Sequence, residues 1–219
     1  MSRGILVSFS GIDSAGKSTY IDLYAKELEQ SGRKYKVVWS RGGYTSGCEA
    51  AKKLVRKVMG KKLPESGVSE KRTEMFKNAK ISGSWYIMAL LDLIRLYGIT
   101  FRWYKLLGYT VIADRYIFDT QIDFSFMFGK EFLKKSRLWR VLLKTYCKPN
   151  PSILLYISPE TSLKRSDEKN EPFSEPLERR VERIDRYMKL ADKGTWKVKI
   201  NTEEAGVEEC WKKIRGNID

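Results

Sequence analysis

The sequence predicts an α/β fold: a mostly parallel five-stranded sheet with helices on both faces. Three observations carry this. Short runs rich in β-branched and aromatic residues recur five times; charged segments with helical spacing lie between them; and a glycine-rich turn joins the first run to the first helix. Strands alternating with helices imply βαβ crossovers, and in such sheets ligands bind at the carboxyl ends of the strands.

The first strand is read in "GILVSF" (4–9). Ile21, Tyr24, Ala25 and Leu28 follow at i, i+3, i+4, i+7, and Gly32 is the stop of that helix. "YKVVWS" (35–40) is the second strand. The apolar stretch "SWYIMALLDLIRLYGITFRWYKLL" contains Asp92, Arg95, Arg102 and Lys105; a span needs about 20 nearly uncharged residues, so it reads as a buried helix. Trp85 and Tyr86 in it could stack on a base, but their helical spacing with Met88 and Leu91 favours core packing. "YTVIADR" (109–115) is the third strand. Residues 125–150 read as one or two basic amphipathic helices with interleaved aromatics, a solvated face that leaves open a partner surface or a more enclosed pocket. "SILLYIS" (152–158) and "WKVKI" (196–200) are the last two strands. Leu177, Val181, Ile184 and Met188 mark the helix between them, and Val207, Trp211 and Ile214 mark one at the end.

The chain has 219 residues, 42% of them hydrophobic, enough for one domain with its own core. Its formal charge of +15 attracts anions without choosing among nucleotides, nucleic acid and acidic membranes. Cys48, Cys147 and Cys210 form no C-x-x-C pair and read as idle thiols in a reducing compartment. Histidine is absent, which excludes Ser-His triads and His-based metal sites. The opening apolar run is too short for a signal segment, and a cytoplasmic protein without a membrane anchor is expected.

"GIDSAGKST" (11–19) fits G-x-x-x-x-G-K-[ST] between a strand and a helix. Gly11 and Gly16 permit close backbone approach, and the turned amides of Gly11, Asp13, Ser14, Ala15 and Gly16 form a nest for phosphate oxygens. Lys17 reaches the terminal phosphates, Ser18 can ligate Mg²⁺, and Thr19 supports the loop. Four fixed positions would match by chance in about 1% of chains this long. The expectation is therefore a three-layer P-loop NTPase fold that binds ATP and Mg²⁺. The length fits a small-molecule kinase, and there is no guanine-reading N-K-x-D.

Five segments, in matching order, resemble the thymidylate kinase family: "ILVSFSGIDSAGKST", "SRGGYTSG" (40–47), "VIADRY" (111–116), "PSILLYISPETSLKR" (151–165) and "RRVERIDRYMKLA" (179–191). The resemblance implies that Asp13 helps place the acceptor and that Arg41 holds its phosphate. It implies that Arg115 works beside the transferring phosphoryl group and Asp114 acts through water on Mg²⁺. Arg95 lies close to a family arginine that fixes the acceptor base and phosphate. A mobile lid at about 164–180 would close over ATP, and a homodimer is implied. Because Ser14 stands where some members carry a P-loop arginine, the lid should supply that charge. Lys164, Arg165, Arg179, Arg180 and Arg183 are the candidates, Arg165 foremost for catalysis, whereas Arg183 and Arg186 read as a solvated face.

Departures are visible as well. The loop at 41–45 lacks the family's Glu and Pro, and Asp119 and Asp123 replace a serine and an aromatic. The leading expectation is a nucleoside monophosphate kinase with dTMP as acceptor and nucleic acid not a partner. The rivals are a deoxynucleoside kinase, which would want a carboxylate base after the second strand, and a non-catalytic nucleotide-binding module.

Overall fold

The computed structural model describes residues 4–41, 45, 79–170 and 174–218, with no side-chain description for 79–81. Five strands form one sheet in the order β2-β3-β1-β4-β5, every pairing parallel. They are β1 (Leu6–Gly11), β2 (Tyr35–Trp39), β3 (Thr110–Asp114), β4 (Ser152–Tyr156) and β5 (Val198–Asn201), each within about two residues of the run that predicted it. The central strand β1 is buried along its whole length, as a strand covered on both faces must be. β2, at the edge, is largely exposed and carries Lys36 among its outward positions.

Strand alternation divides the core between two faces. Val7, Phe9, Ile112, Ile153 and Leu155 pack with α1 (Lys17–Gln30) and with α9 (Val207–Arg215) through Tyr24, Leu28, Cys210 and Ile214. Leu6, Val111 and Ala113 point the other way. They meet α2 (Ala79–Leu93), which continues through a π-helical segment (Ile94–Thr100) into α3 (Phe101–Leu106). The same face receives α4 (Ile117–Phe128), α5 (Lys130–Lys135) and α6 (Arg137–Thr145). Leu154 on that side contacts Ile122 of α4 and Tyr187 and Ala191 of α8 (Leu177–Ala191). The remaining described helix is α7 (Pro159–Glu168), whose Ser158 side chain caps it. Helices on both faces of a parallel sheet give the three-layer α/β architecture expected of a P-loop NTPase.

The helical run Ser82–Leu106 is 25 residues long and contains an 18-residue window of mean hydropathy 1.2, long and apolar enough to cross a bilayer by length and composition. Half of its apolar window is buried, and Tyr86, Leu90, Leu93, Tyr97 and Phe101 lie in the core. The charges at Asp92, Arg95 and Arg102 fall on its outer side or at ion pairs. Leu96, Tyr97 and Gly98 are buried in succession, a wider inward face than an α-turn offers and one that the π-turn supplies. Tyr86 packs against Phe124, Phe128 and Phe132, so its core reading holds. Cys147 and Cys210 are buried free thiols, whereas Cys48 lies outside the described residues.

Leu90 is fully buried between the long helix and the sheet. Leu90→Ala should lower unfolding free energy by about 2–5 kcal/mol, through lost transfer energy and the cavity left behind. Urea unfolding measures it, and a loss below about 1 kcal/mol would place this helix outside the cooperative core.

Candidate active site

The carboxyl ends of β1, β3 and β4 converge where the strand order reverses direction. Gly11, the last residue of β1, has φ 144°, and a Cβ there would sit 2.0 Å from the Leu155 carbonyl oxygen. Only glycine lets the two strands stay paired at that point. The chain then turns through residues 12–16, with Ser14 (φ 59°) and Gly16 (φ 85°) in the left-handed region. Such left-handed residues in a turn are what open an amide nest toward an anion. α1 starts at Lys17 with no side-chain cap and no acid in its first turn, so its leading amides remain for a ligand. Ser18 and Thr19 are exposed at this end. Ala15 is buried, and its carbonyl accepts a hydrogen bond from Thr202 at 3.0 Å.

Lys17 is buried and donates to the carbonyls of Gly11 (3.0 Å) and Ile12 (2.6 Å). Burial lowers its pKa to about 8; Arg115 pushes the same way, and Asp13, Asp114 and Asp119 oppose. Arg115 follows β3 with φ 67°, a strained conformation for a non-glycine residue. Arg115 is 6% exposed, and its guanidinium pairs with Asp13 and lies 3.9 Å from Asp119. Desolvation works to lower the pKa of Arg115, but Asp13 and its other anionic neighbours raise it overall. Desolvation likewise works to raise Asp13, and the charges of Arg115, Lys17, Arg41 and Arg183 outweigh it and hold the carboxyl well below the usual range. Asp114 differs: burial raises its pKa, and its Oδ1 is buried without a hydrogen-bond partner among the described residues.

A second group of charges lies beside the first. Arg41 donates to Asp123 at 2.8 Å, and Arg183 donates to the same carboxylate at 2.7 Å. Arg183 also binds Glu175 at 2.6 and 2.8 Å and is 3% exposed. The solvated-face reading of Arg183 is therefore wrong, because two carboxylates remove its need for water. Arg186 is also mostly covered: it pairs with Ser125 and Glu182 and lies 3.6 Å from the centre of the Phe126 ring.

α7 packs over the glycine-rich turn. Ser162 donates to the Asp13 carbonyl at 2.8 Å, and the Ser14 and Ser166 hydroxyls are 3.1 Å apart. Among the candidate lid cations, Arg165 reaches the Ser14 carbonyl at 3.5 Å. Arg180 is 1% exposed and bonded to Ser162, Ser166, Ser174 and the Glu175 carbonyl, so it braces α7 against α8. Arg179 is exposed and pairs with Glu182, and Lys164 is exposed. Part of the lid reading, 171–173, lies outside the described residues, as does the 40–47 loop apart from Ser40, Arg41 and Thr45.

Gly11 to Thr19, Asp114, Arg115 and Arg165 thus lie together, with Arg41 joined to them electrostatically. Arg95 does not share their contacts: it is half-exposed and paired with Asp92 in its own helix, which Thr45 also contacts. Sequence reading gave no role to Asp119, Tyr187, Ser162 or Glu175. Asp119 and Asp123 stood out only as departures from a motif. A histidine-free chain with carboxylates four and eight residues beyond a strand-end Asp-Arg pair offers that signal, without its meaning.

The residues present fit a nucleoside triphosphate with Mg²⁺. The cradle at Gly11 and Gly16 has no room for a Cβ without strain or contact, Lys17 lies beneath it, and the unpartnered Asp114 oxygen lies where a cation would satisfy it.

No family model matches the chain. Over 236 aligned positions it is 25% identical to thymidylate kinase of Caldicellulosiruptor saccharolyticus, a match covering 99% of this chain and 97% of that protein. The resemblance read from five short segments thus extends along the whole length: the chain is similar to a thymidylate kinase from end to end.

Burial would raise Asp123, but Arg183 and Arg41 hold it below the usual carboxylate value of 3.8. Its ionised form therefore contributes stability that is complete above the usual value and lost as pH falls through the lower folded value. Asp123→Asn should cost about 3–5 kcal/mol at pH 7, because two cations lose their shared partner. The gap to wild type should narrow as pH falls below the usual carboxylate value. Urea unfolding as a function of pH decides it, and a gap independent of pH would sink the assignment.

Proposed function

We propose that the protein is an ATP- and Mg²⁺-dependent kinase that phosphorylates a nucleoside monophosphate, with dTMP as the favoured acceptor. The observation that carries this is the gathering of Lys17, Arg115 and Arg41 around Asp13 at the mouth of the glycine-rich cradle. Cations on two sides of one gap suit a reaction in which one anion attacks another. The full-length similarity to a thymidylate kinase supports the same class.

In this reading ATP supplies the phosphoryl group, and Mg²⁺ offsets charge between its phosphates. The amides of 12–16 and the α1 N-terminus hold the donor, and Ser18 and Asp114 would hold the metal, Asp114 through water. Lys17 exchanges its loop carbonyls for phosphate oxygens. Arg41 takes the acceptor's phosphate and Asp13 places the acceptor. Arg115, fixed between Asp13 and Asp119, stabilises charge on the moving group. Arg165 adds a cation from α7. The acceptor is already an oxyanion, so no general base is required. One domain, closed by the segment at 164–180, would carry the whole reaction.

Purified protein with ATP and Mg²⁺ should form ADP with dTMP faster than with other (d)NMPs, and thymidine alone should give none. No Mg²⁺-dependent turnover with any (d)NMP would overturn the reading, and phosphorylation of thymidine but not dTMP would replace it with a nucleoside kinase. Lys17→Ala should reduce kcat/KM by at least about 100-fold with the fold intact by circular dichroism. Arg115→Ala should lower kcat more than it weakens ATP binding, since its charge acts on the transition state. An unchanged kcat would remove Arg115 from the chemistry.

A further inference from the structure

A second concavity lies away from the cradle, bounded by α4, α5, α6 and α8. Its volume is about 490 Å³, within the range of small-molecule sites. Six cations line it, Lys130, Lys134, Arg140, Arg186, Lys189 and Lys193, and no carboxylate does. Three of them have exposed or part-exposed acidic partners close in sequence: Lys134 with Glu131, Arg186 with Glu182, and Lys189 with Asp185. The exposed pairs of Lys134 and Lys189 hold their cations weakly, whereas Arg186 is mostly covered. Among the described residues Lys130, Arg140 and Lys193 make no ion pair, so the rim keeps a local excess of positive charge.

The floor is apolar. Ile122, Leu133 and Trp139 are each under 5% exposed and contribute to the lining, with Leu143 and Leu190 beside them. Gln121 adds a polar group, whereas the buried Ser125 hydroxyl is already bonded to the Ile122 carbonyl and to Arg186. An apolar floor under a cationic rim matches a molecule with a flat organic body and a polyanionic tail. The size and the concave, half-open shape suit a single small ligand better than a polymer or a membrane surface. We propose that this cavity is a second anion site that takes a nucleoside polyphosphate, base against the floor and phosphates among Lys130, Arg140 and Lys193.

The cavity shares its walls with the candidate active site. α4 presents Ile122 and Ser125 to the cavity and Asp119 and Asp123 to the site. α8 presents Arg186 and Lys189 to the cavity, and Arg183 and Tyr187 to the site. A ligand bridging these two helices would bear on both.

The test uses the full chain and equilibrium dialysis against ATP. The variant Lys130→Gln/Arg140→Gln/Lys193→Gln changes three exposed side chains, and its melting temperature checks the fold. Wild type should bind one more equivalent of ATP than the variant, or bind that equivalent at least about tenfold more tightly. Photolabelling with 2-azido-ATP should mark peptides within 121–143 or 186–193 in wild type and not in the variant. Equal stoichiometry and affinity in the two proteins would overturn the proposal. So would tripolyphosphate competing as well as ATP, because the floor would then recognise nothing. Loss of a 20-mer single-stranded oligonucleotide or of phosphatidylserine vesicles in the variant, with ATP binding unchanged, would reassign the surface to that polyanion. Because binding is read without turnover, the result stands apart from the kinase reading.

Discussion

The carboxylate of Asp119, 1% exposed, ties the carboxyl end of the sheet into one unit. It accepts from the Ser10 hydroxyl at 2.6 Å, the Gly11 amide at 3.2 Å, the Tyr116 amide at 2.9 Å and the Tyr187 hydroxyl at 2.5 Å. Four donors use the acceptor capacity of an ionised carboxylate. They come from the end of β1, the start of α4 and the middle of α8, three segments far apart in the chain. A buried anion is tolerable only when bonded this completely, and a half-satisfied one would cost more than an apolar residue. The geometry of the glycine-rich turn therefore rests on α4 and α8 docking correctly, not on its own sequence alone.

Arg115 shows what that frame sustains. A left-handed arginine costs on the order of 1–3 kcal/mol and persists only where its surroundings fix it. Its amide donates to the Phe9 carbonyl at 2.9 Å, and its own carbonyl accepts from Ser40 at 3.2 Å, so β1 and the end of β2 grip the backbone from both sides. The side chain is then aimed back over β1, with Asp13 in front and Asp119 behind. An arginine held this way has little freedom left to lose when an anion arrives, which is the advantage of fixing it in advance.

The fold was legible because its signals are local. Each strand announces itself over five or six residues, and G-x-x-x-x-G-K-[ST] reports both a backbone shape and a helix start. Lys17, Asp114 and Arg115 were legible for the same reason, each lying at a strand-to-helix junction. Arg183 was not, since helical periodicity marks a charged residue as outward and says nothing of Asp123 sixty residues earlier. Arg180 stood only as a candidate lid cation, and its bracing role was hidden because its partners lie on α7 and in the preceding loop. The π-turn at 94–100 left no trace either, because an extra residue in one turn does not disturb a run that is apolar nearly all round. Pairings across the fold, unlike periodicities within it, are set by topology.

The formal charge of +15 invites the picture of a cationic protein whose site simply attracts phosphate. The site itself is balanced: Lys17, Arg41, Arg115 and Arg183 lie among Asp13, Asp114, Asp119 and Asp123. An incoming phosphate there must replace a carboxylate, not fill a vacancy. In the proposed reading Arg41 would be the place for that exchange, being 35% exposed while its partner Asp123 retains Arg183. A dianion with three oxygens can outbid one carboxylate for a guanidinium, whereas a lone chloride or a carboxylic acid gains nothing by the swap. Balanced charge thus gives selectivity, and the unbalanced surplus on the outer helices gives only attraction.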